Sequence, residues 1–281
     1  MLTPSSDPAP RSWLFAPGHN RRILEKSFEA GADEVLLDLE DGVGPELKDI
    51  ARSQVVSVLR TRPAWVRINK PHSREAELDL EAMAGLATGI RVPKVDSAGD
   101  VAWVRERLGG RPLPITASIE SALGVLNSLA IASSPGVISL AFGNVDFGAD
   151  LGIDPSDVVA TAHARSQLVL ASRAAGIQGP SDGVFTLFTD DCGLRAACVE
   201  ARRLGFVGKS AIHPRQVAVI NQAFSPTIAE LEWARAVVTA YQASGGAATR
   251  VGTGEMVDVP VYERALRLLR SAAHSGEQPG S

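Results

Sequence analysis

Cysteine is nearly absent from this 281-residue chain: only Cys192 and Cys198 occur, and six residues apart on a stretch that reads as a helix they point in different directions. A disulfide framework is therefore excluded as the source of stability, and a thiol-reducing compartment fits. Basic surplus is also lacking. Lys and Arg number 28 against 32 Asp and Glu, for a formal charge of -4, so no field gathers a polyanion and nucleic acid is not expected as a partner. No apolar run approaches the ~18 residues that span a bilayer. The opening MLTPSSDPAP lacks the charged and apolar blocks of a signal peptide. A soluble cytoplasmic protein without a membrane partner is expected.

Several catalytic signatures are missing as well. The five histidines show no HxxxH or HxH spacing, which argues against zinc, and neither GxSxG nor a P-loop is present. PGHNRR, after the first β-rich run, is not the GxGxxG of a dinucleotide-binding turn.

What is present is enough apolar sequence, 45% hydrophobic residues, to fill a large core. Eight short β-rich runs end in polar or Gly/Pro residues: SWLFAP from Ser12, EVLLDLE from Glu34, AWVRIN from Ala64, GIRVPK from Gly89, LPITASIE from Leu113, GVISLAFG from Gly136, DGVFTL from Asp182 and FVGKSAI from Phe206. Most starts lie about 22 to 30 residues apart, one strand, one helix and two turns, with a longer gap before Asp182. Helical stretches intervene, such as RRILEKSFEAG, with Ile23, Leu24, Ser27 and Phe28 on one stripe and Gly31 as its stop, and VVATAHARSQLVLASRAAG, ending at Gly176. The fold class is α/β, a (β/α)8 TIM barrel over residues 11–225, with a C-terminal helical extension over 226–274. The extension holds helices near 228–243 and 260–273 around Gly245 and Gly246, and residues 1–10 and 275–281 are read as flexible ends.

In such a barrel chemistry sits where the strands end. Asp38, Glu40 and Asp41 end the second, Arg67 and Asn69 the third, Lys94 the fourth, Glu120 the fifth, Asn144 and Asp146 the sixth, and Lys209 and His213 the eighth; the seventh is read as starting from Asp182. Glu120 and Asp146 would repel in a shared cleft unless protonated or bound to a hard divalent cation such as Mg2+, or each instead caps the following helix. Arg67 keeps its charge and needs an anion, either a substrate carboxylate or an internal partner among Asp38, Glu40 and Asp41. Lys94 reads as a carboxylate's partner more than as a Schiff-base nucleophile, and His213 as a turn organiser more than an acid or base. Asp258, in GEMVDVP, makes sense as the cap of the last helix.

Taken together, LFAPGHN, LLDLEDGV, VRIN, RVPKVDS, ASIESALGVLN, AFGNVDFGADLG, LGFVGKSAIHPRQ and GEMVDVP resemble the citrate lyase β-subunit-like proteins of the HpcH/HpaI aldolase superfamily, from about Arg11 to Arg270. The resemblance implies a metal-dependent carbon–carbon lyase on acyl thioesters, trimeric or hexameric, with Glu120 and Asp146 on Mg2+ and Arg67 on the carboxylate and carbonyl end of the substrate. It further implies that Glu40 and Asp41 order metal-bound water, that Asp258 serves a neighbouring subunit's site, and that Arg21, Arg22 and Lys209 lie near the nucleotide end of coenzyme A. Two positions depart from the family pattern: Val145 stands where a Glu is usual, and Ser121 where Thr is common. The implied reaction is reversible Claisen-type cleavage of a 3-hydroxyacyl-CoA of malyl, methylmalyl or citramalyl type to an acyl-CoA and a 2-oxoacid. The rival expectations are a citrate lyase β subunit acting on citryl-acyl-carrier protein, a class II aldolase of free hydroxy-acids, and a catalytically silent CoA-binding scaffold.

Overall fold

The structure, a computed structural model, describes residues 9–274 apart from Ala84 and Thr253. Most of residues 1–10 and all of 275–281, expected as flexible ends, lie outside the described residues. The chain divides into two compact units, Met1–Gln222 and Ala223–Ser281.

In the first unit eight parallel strands close into a barrel: β1 (Ser12–Pro17), β2 (Glu34–Asp38), β3 (Trp65–Arg67), β4 (Gly89–Val92), β5 (Ile115–Ile119), β6 (Val137–Phe142), β7 (Ser181–Asp182) and β8 (Gly208–Ala211), with β1 also pairing β8. The expected eightfold closure is therefore present. Between the strands run α1 (Arg21–Ser27), α2 (Lys48–Leu59), α3 (Arg74–Met83), α4 (Ala98–Arg107), α5 (Ala122–Leu126), α6 (Ser128–Ala132), α7 (Asn144–Leu151), α8 (Val158–Ala175) and α9 (Asp191–Leu204), and α10 (Pro214–Phe224) follows β8. The helices bury one stripe each. In α9 it is Leu194, Cys198 and Ala201, at i, i+4 and i+7, which leaves Cys192 exposed. The long gap before β7 holds two helices, of which α8 stops at Gly176 as its left-handed conformation (φ 73°) requires.

Two expectations are corrected. The strand does not start from Asp182: it ends there, at the second of two residues, and GVFTLF is a loop. Asn144 clamps that loop, its amide donating to the Val184 carbonyl (3.1 Å) and accepting from the Val184 N–H (2.9 Å), so the apolar run needs no ladder. Helix α1 ends at Ser27, before the stripe completes, and of the four expected residues only Leu24 and Ser27 are buried.

Alternation along the strands stacks two layers inside the barrel. Trp13, Leu36 and Trp65 fill the lower layer, with the two indoles edge to face at 5.0 Å. Gly89 belongs to this layer because a Cβ there would sit 2.5 Å from the Trp65 ring. Two residues further along the same strands come Phe15, Asp38, Arg67 and Arg91, which line a cavity at the strand ends.

In the second unit α11 (Ile228–Ala243) packs on α12 (Val259–His274), and an unanticipated antiparallel pair joins them, β9 (Thr249–Arg250) with β10 (Met256–Val257). Thr227 and Glu230 form a capping box on α11. Ala234, Val237, Val257 and Ala265 make the core, and Tyr241 stacks on Tyr262 at 4.5 Å. No helix among the described residues is long and apolar enough to cross a membrane.

Burial pushes the carboxyl of Glu34, at the start of β2, up to about 7; a hydrogen bond from Trp65 opposes the rise and Asp33 adds to it. The folded state thus holds a proton that the unfolded chain releases near pH 4.5. Stability from this group is complete below that pH and is lost as pH rises through about 7. Glu34→Gln, neutral throughout, is expected to gain in Tm over the unmodified protein between about pH 5 and about pH 8. A Tm difference that does not change with pH would contradict the shift.

Candidate active site

A cavity of about 300 Å3 opens at the C-terminal ends of the strands. Its charged lining is Asp38, Asp41, Arg67, Arg91, Glu120 and Asp146, set among Phe15, Phe142 and Val145. Each side chain arrives for a local reason. Asp38 ends β2 and accepts the backbone N–H groups of Glu40 and Gly42 (both 3.0 Å), which bends the chain so that Glu40 and Asp41 follow on a tight turn. Arg67 ends β3, in register with Asp38 on one side and Arg91 on the other.

Arg67 resolves the alternatives left by its sequence in favour of an internal pair. Its Nε and Nη2 each donate to Asp38 at 2.7 Å, and its Nη1 lies 2.8 Å from Glu40. Burial opposes ionisation in both partners, yet mutual attraction prevails: Asp38 is held below the usual carboxylate range and Arg67 far above the usual guanidinium value. Lys94 reaches the other Glu40 oxygen at 2.8 Å and Asp41 at 3.0 Å, the carboxylate pairing expected of it. Burial still raises Glu40 above its ordinary value, against the pull of Arg67 and Lys94.

The Lys94 backbone is left-handed (φ 52°), which aims its N–H at the Glu120 carboxylate. Gly143 makes room for Glu120, since a Cβ there would lie 2.1 Å from the carboxylate. Burial, followed by the charges of Glu40 and Asp146, pushes Glu120 up to about 8. The helix caps proposed as alternatives fall elsewhere: Ser121 caps α5, accepting from Gly124 N–H, while Asp146 lies in the first turn of α7. Neither Glu120 nor Asp146 forms an ion pair within 4.0 Å among the described residues. Two such carboxylates on one cavity fit a hard cation. No group of three or more His, Cys, Asp or Glu side chains is placed to hold a metal among the described residues, so water and substrate would complete its shell.

Arg21, Arg22, Lys209 and His213 are not among the residues that line the cavity. Arg21 and Arg22 open α1, exposed, just past the end of β1, with Arg21 2.8 Å from Glu25. Lys209 is corrected: it is buried, its ammonium 2.6 Å from Asp182, which Arg165 also approaches at 3.3 Å. An ammonium buried and neutralised between β8 and the helices α8 and α9 is not presented to a nucleotide. Asp258 lies in the second unit and accepts the Val261 N–H at 3.3 Å, the cap expected of it. The His213 Nδ1 accepts from Arg215 N–H at 3.2 Å, as a turn organiser does.

Arg91 was missed, although the alternation that puts Arg67 inside applies equally to GIRV. It is 3% exposed, donates to Ser118 (3.1 Å) and Ser210 (3.2 Å), and lies over the Phe15 ring at 5.2 Å beside Arg67 at 4.6 Å. Burial, and then the positive charge of Arg67, push it down to about 10.

The HpcH/HpaI aldolase/citrate lyase family model matches residues 11–214. A (3S)-malyl-CoA thioesterase of Cereibacter sphaeroides is 37% identical over 83% of this chain and 83% of its own length. The citrate lyase subunit beta of Escherichia coli is 35% identical over 95% and 94%. Among solved structures, protein CitE from Mycobacterium tuberculosis in complex with magnesium, acetoacetate and coenzyme A superposes with a TM-score of 0.81 at 32% identity, over 95% of this chain and 99% of that one.

Asp38→Ala removes both bonds to the Arg67 fork and leaves that buried guanidinium with Glu40 alone. The expected loss is about 3–5 kcal/mol of unfolding free energy by denaturant titration. A loss below about 1 kcal/mol, the range of an exposed pair, would show that solvent replaces Asp38.

Proposed function

We propose that this chain, which belongs to the HpcH/HpaI aldolase/citrate lyase family, is a Mg2+-dependent carbon–carbon lyase that reversibly cleaves a 3-hydroxyacyl-CoA of malyl, methylmalyl or citramalyl type. Family membership and the magnesium-complexed structural relatives support the metal-dependent lyase class. The observation that carries the reading is the pair of carboxylates Glu120, buried, and Asp146, half-buried, which line one cavity with no cation within 4.0 Å of either among the described residues.

Glu120 and Asp146 would hold Mg2+, a Lewis acid for the substrate's hydroxyl and carboxylate oxygens. Arg67, fixed by Asp38 and Glu40, turns its remaining N–H donors to the carboxylate and carbonyl end of the substrate. As the carbinol becomes a carbonyl, its hydroxyl proton passes to water ordered by Glu40 and Asp41. The electrons of the breaking C–C bond move into a thioester enolate, and Arg67 opposes the developing charge. Asp258, supplied by a neighbouring copy of the chain, gives the enolate carbon its proton and takes it back in condensation. The working unit in this reading is a homotrimer in the cytoplasm, in which residues 226–274 of one subunit complete the barrel site of the next. Arg21 and Arg22 supply positive charge for the nucleotide end of coenzyme A, and Lys209 drops out of that role.

One relative is named as a thioesterase, which favours a second reading: hydrolysis of the thioester at the same site. One assay separates the two. Purified protein with Mg2+ and a panel of malyl-, methylmalyl-, citramalyl- and citryl-CoA is followed by mass spectrometry. A lyase releases a shorter acyl-CoA and a 2-oxoacid; a thioesterase releases free coenzyme A and the intact hydroxy-acid. Chelation is expected to abolish turnover, and Glu120→Gln or Asp146→Asn to lower kcat about 10^2- to 10^3-fold. Asp258→Asn is expected to lose about 10^2- to 10^4-fold in cleavage; cleavage at the unmodified rate would remove Asp258 from the mechanism. Silence across the panel would shift the reading to carrier-protein substrates or a free-acid aldolase.

A further inference from the structure

Lys48 opens α2 in a place unfavourable to a cation. A positive charge in the first turn of a helix opposes the helix dipole. Burial also lowers its ammonium below the ordinary value, against the attraction of Asp38, Asp79, Glu40 and Asp41. With four carboxylates in its surroundings, the ammonium gives its two hydrogen bonds to backbone instead, to the carbonyls of Leu39 and Glu40 at 2.7 Å each. Lys48 is not among the residues that line the cavity.

Those two carbonyls flank one residue of the site. The first lies in the peptide plane that joins Leu39 to Glu40 and the second in the plane that joins Glu40 to Asp41, so one ammonium grips the planes on both sides of the Glu40 Cα. The first plane is held from its other edge as well, because the Glu40 N–H donates to Asp38 (3.0 Å). With both planes fixed, the Glu40 side chain leaves the backbone in one direction, and its two oxygens come to 2.8 Å from Arg67 and 2.8 Å from Lys94. The grip is itself anchored. Arg52, one helical turn along α2, is buried and donates to Asp79 (2.9 Å) and Glu75 of α3, and Asp79 accepts both the N–H (2.9 Å) and the side-chain amide (2.7 Å) of Asn69, two residues past Arg67. One face of α2 therefore supports two strand ends, β2 through Lys48 and β3 through Arg52.

We propose that Lys48 is a positioning residue for the reaction, which locks the peptide planes on either side of Glu40 so that the water taking the substrate's hydroxyl proton is held in one place. The assignment rests on the lyase reading of the cavity. Lys48 touches neither substrate nor metal in it. Asp38 catches the N–H groups of the turn from the barrel side, Lys48 catches its carbonyls from the helix side, and Glu40 is aimed between them.

Lys48→Met and Lys48→Arg test this on the full chain by hydrogen–deuterium exchange and by steady-state cleavage. The Leu39, Glu40, Gly42 and Val43 amides are each hydrogen-bonded in the unmodified protein, and Lys48→Met is expected to speed their exchange at least about 10-fold. It is also expected to lower kcat about 10- to 100-fold while KM for the thioester stays within about 2-fold, because a displaced proton acceptor is felt in the transition state and not in binding. Lys48→Arg, which keeps the charge and the donors, is expected to restore most of both. Unchanged exchange of the turn in Lys48→Met would overturn the proposal whatever the activity, and so would a loosened turn at an unmodified kcat. A fall in kcat with a matching rise in KM and a lower melting temperature, the pattern of a residue that only holds the fold, would overturn it too. Failure of the unmodified protein to cleave any thioester would remove the lyase reading alone, since the exchange contrast between the Met and Arg variants is read without turnover.

Discussion

The cavity depends on how three cations are shared among five acids. Arg67 fastens β3 to the turn after β2 through Asp38 and Glu40. Lys94, carried past β4, takes the outer oxygen of Glu40 and then Asp41, while its own N–H reaches Glu120 after β5. Four consecutive strand ends are thus tied by charge. Because the bonds of Arg67 to Asp38 and Glu40 are short and buried, removing one of these members costs more than a lost contact. Among the described residues the same allocation leaves Glu120 and Asp146 without a cation within 4.0 Å, and in the lyase reading one from outside would serve them.

That arrangement is possible because the strands alternate. Four of the strands that line the cavity carry an apolar residue, or a glycine, two positions before the lining one: Trp13 before Phe15, Leu36 before Asp38, Trp65 before Arg67, Gly89 before Arg91. Packing in the lower layer fixes the backbone on which the upper layer is aimed. The positive φ of Lys94 belongs to the same design, a local strain held in place by the ion pairs at its side chain and the bond to Glu120 from its N–H.

The barrel and most of its mouth were legible in the sequence because apolar runs ending in acids and bases recur at a regular spacing, and short-range rules translate that pattern directly. What escaped depends on partners distant in sequence. β7 is two polar residues, Ser181 and Asp182, whose burial makes sense only once Lys209 and Arg165 neutralise the acid. No local pattern announces such a strand, whereas GVFTLF looks like one and is a loop fastened by Asn144. Lys209 was misassigned for the same reason: its partner lies a full strand–helix unit earlier. Arg91 was overlooked because an arginine inside an apolar run reads as an interruption, although its period-2 position places it with Arg67.

Charge also gives a physical reading of Val145, at the cavity wall. Asp38, Glu40, Asp41, Glu120 and Asp146 against Arg67, Lys94 and Arg91 leave a formal charge of -2, which one bound divalent cation would cancel. A carboxylate at position 145 would leave the loaded site negative and oppose every anionic substrate. Valine adds no charge to it. Position 145 can therefore change the charge of the mouth without altering the strand ends that carry Asp38 and Arg67.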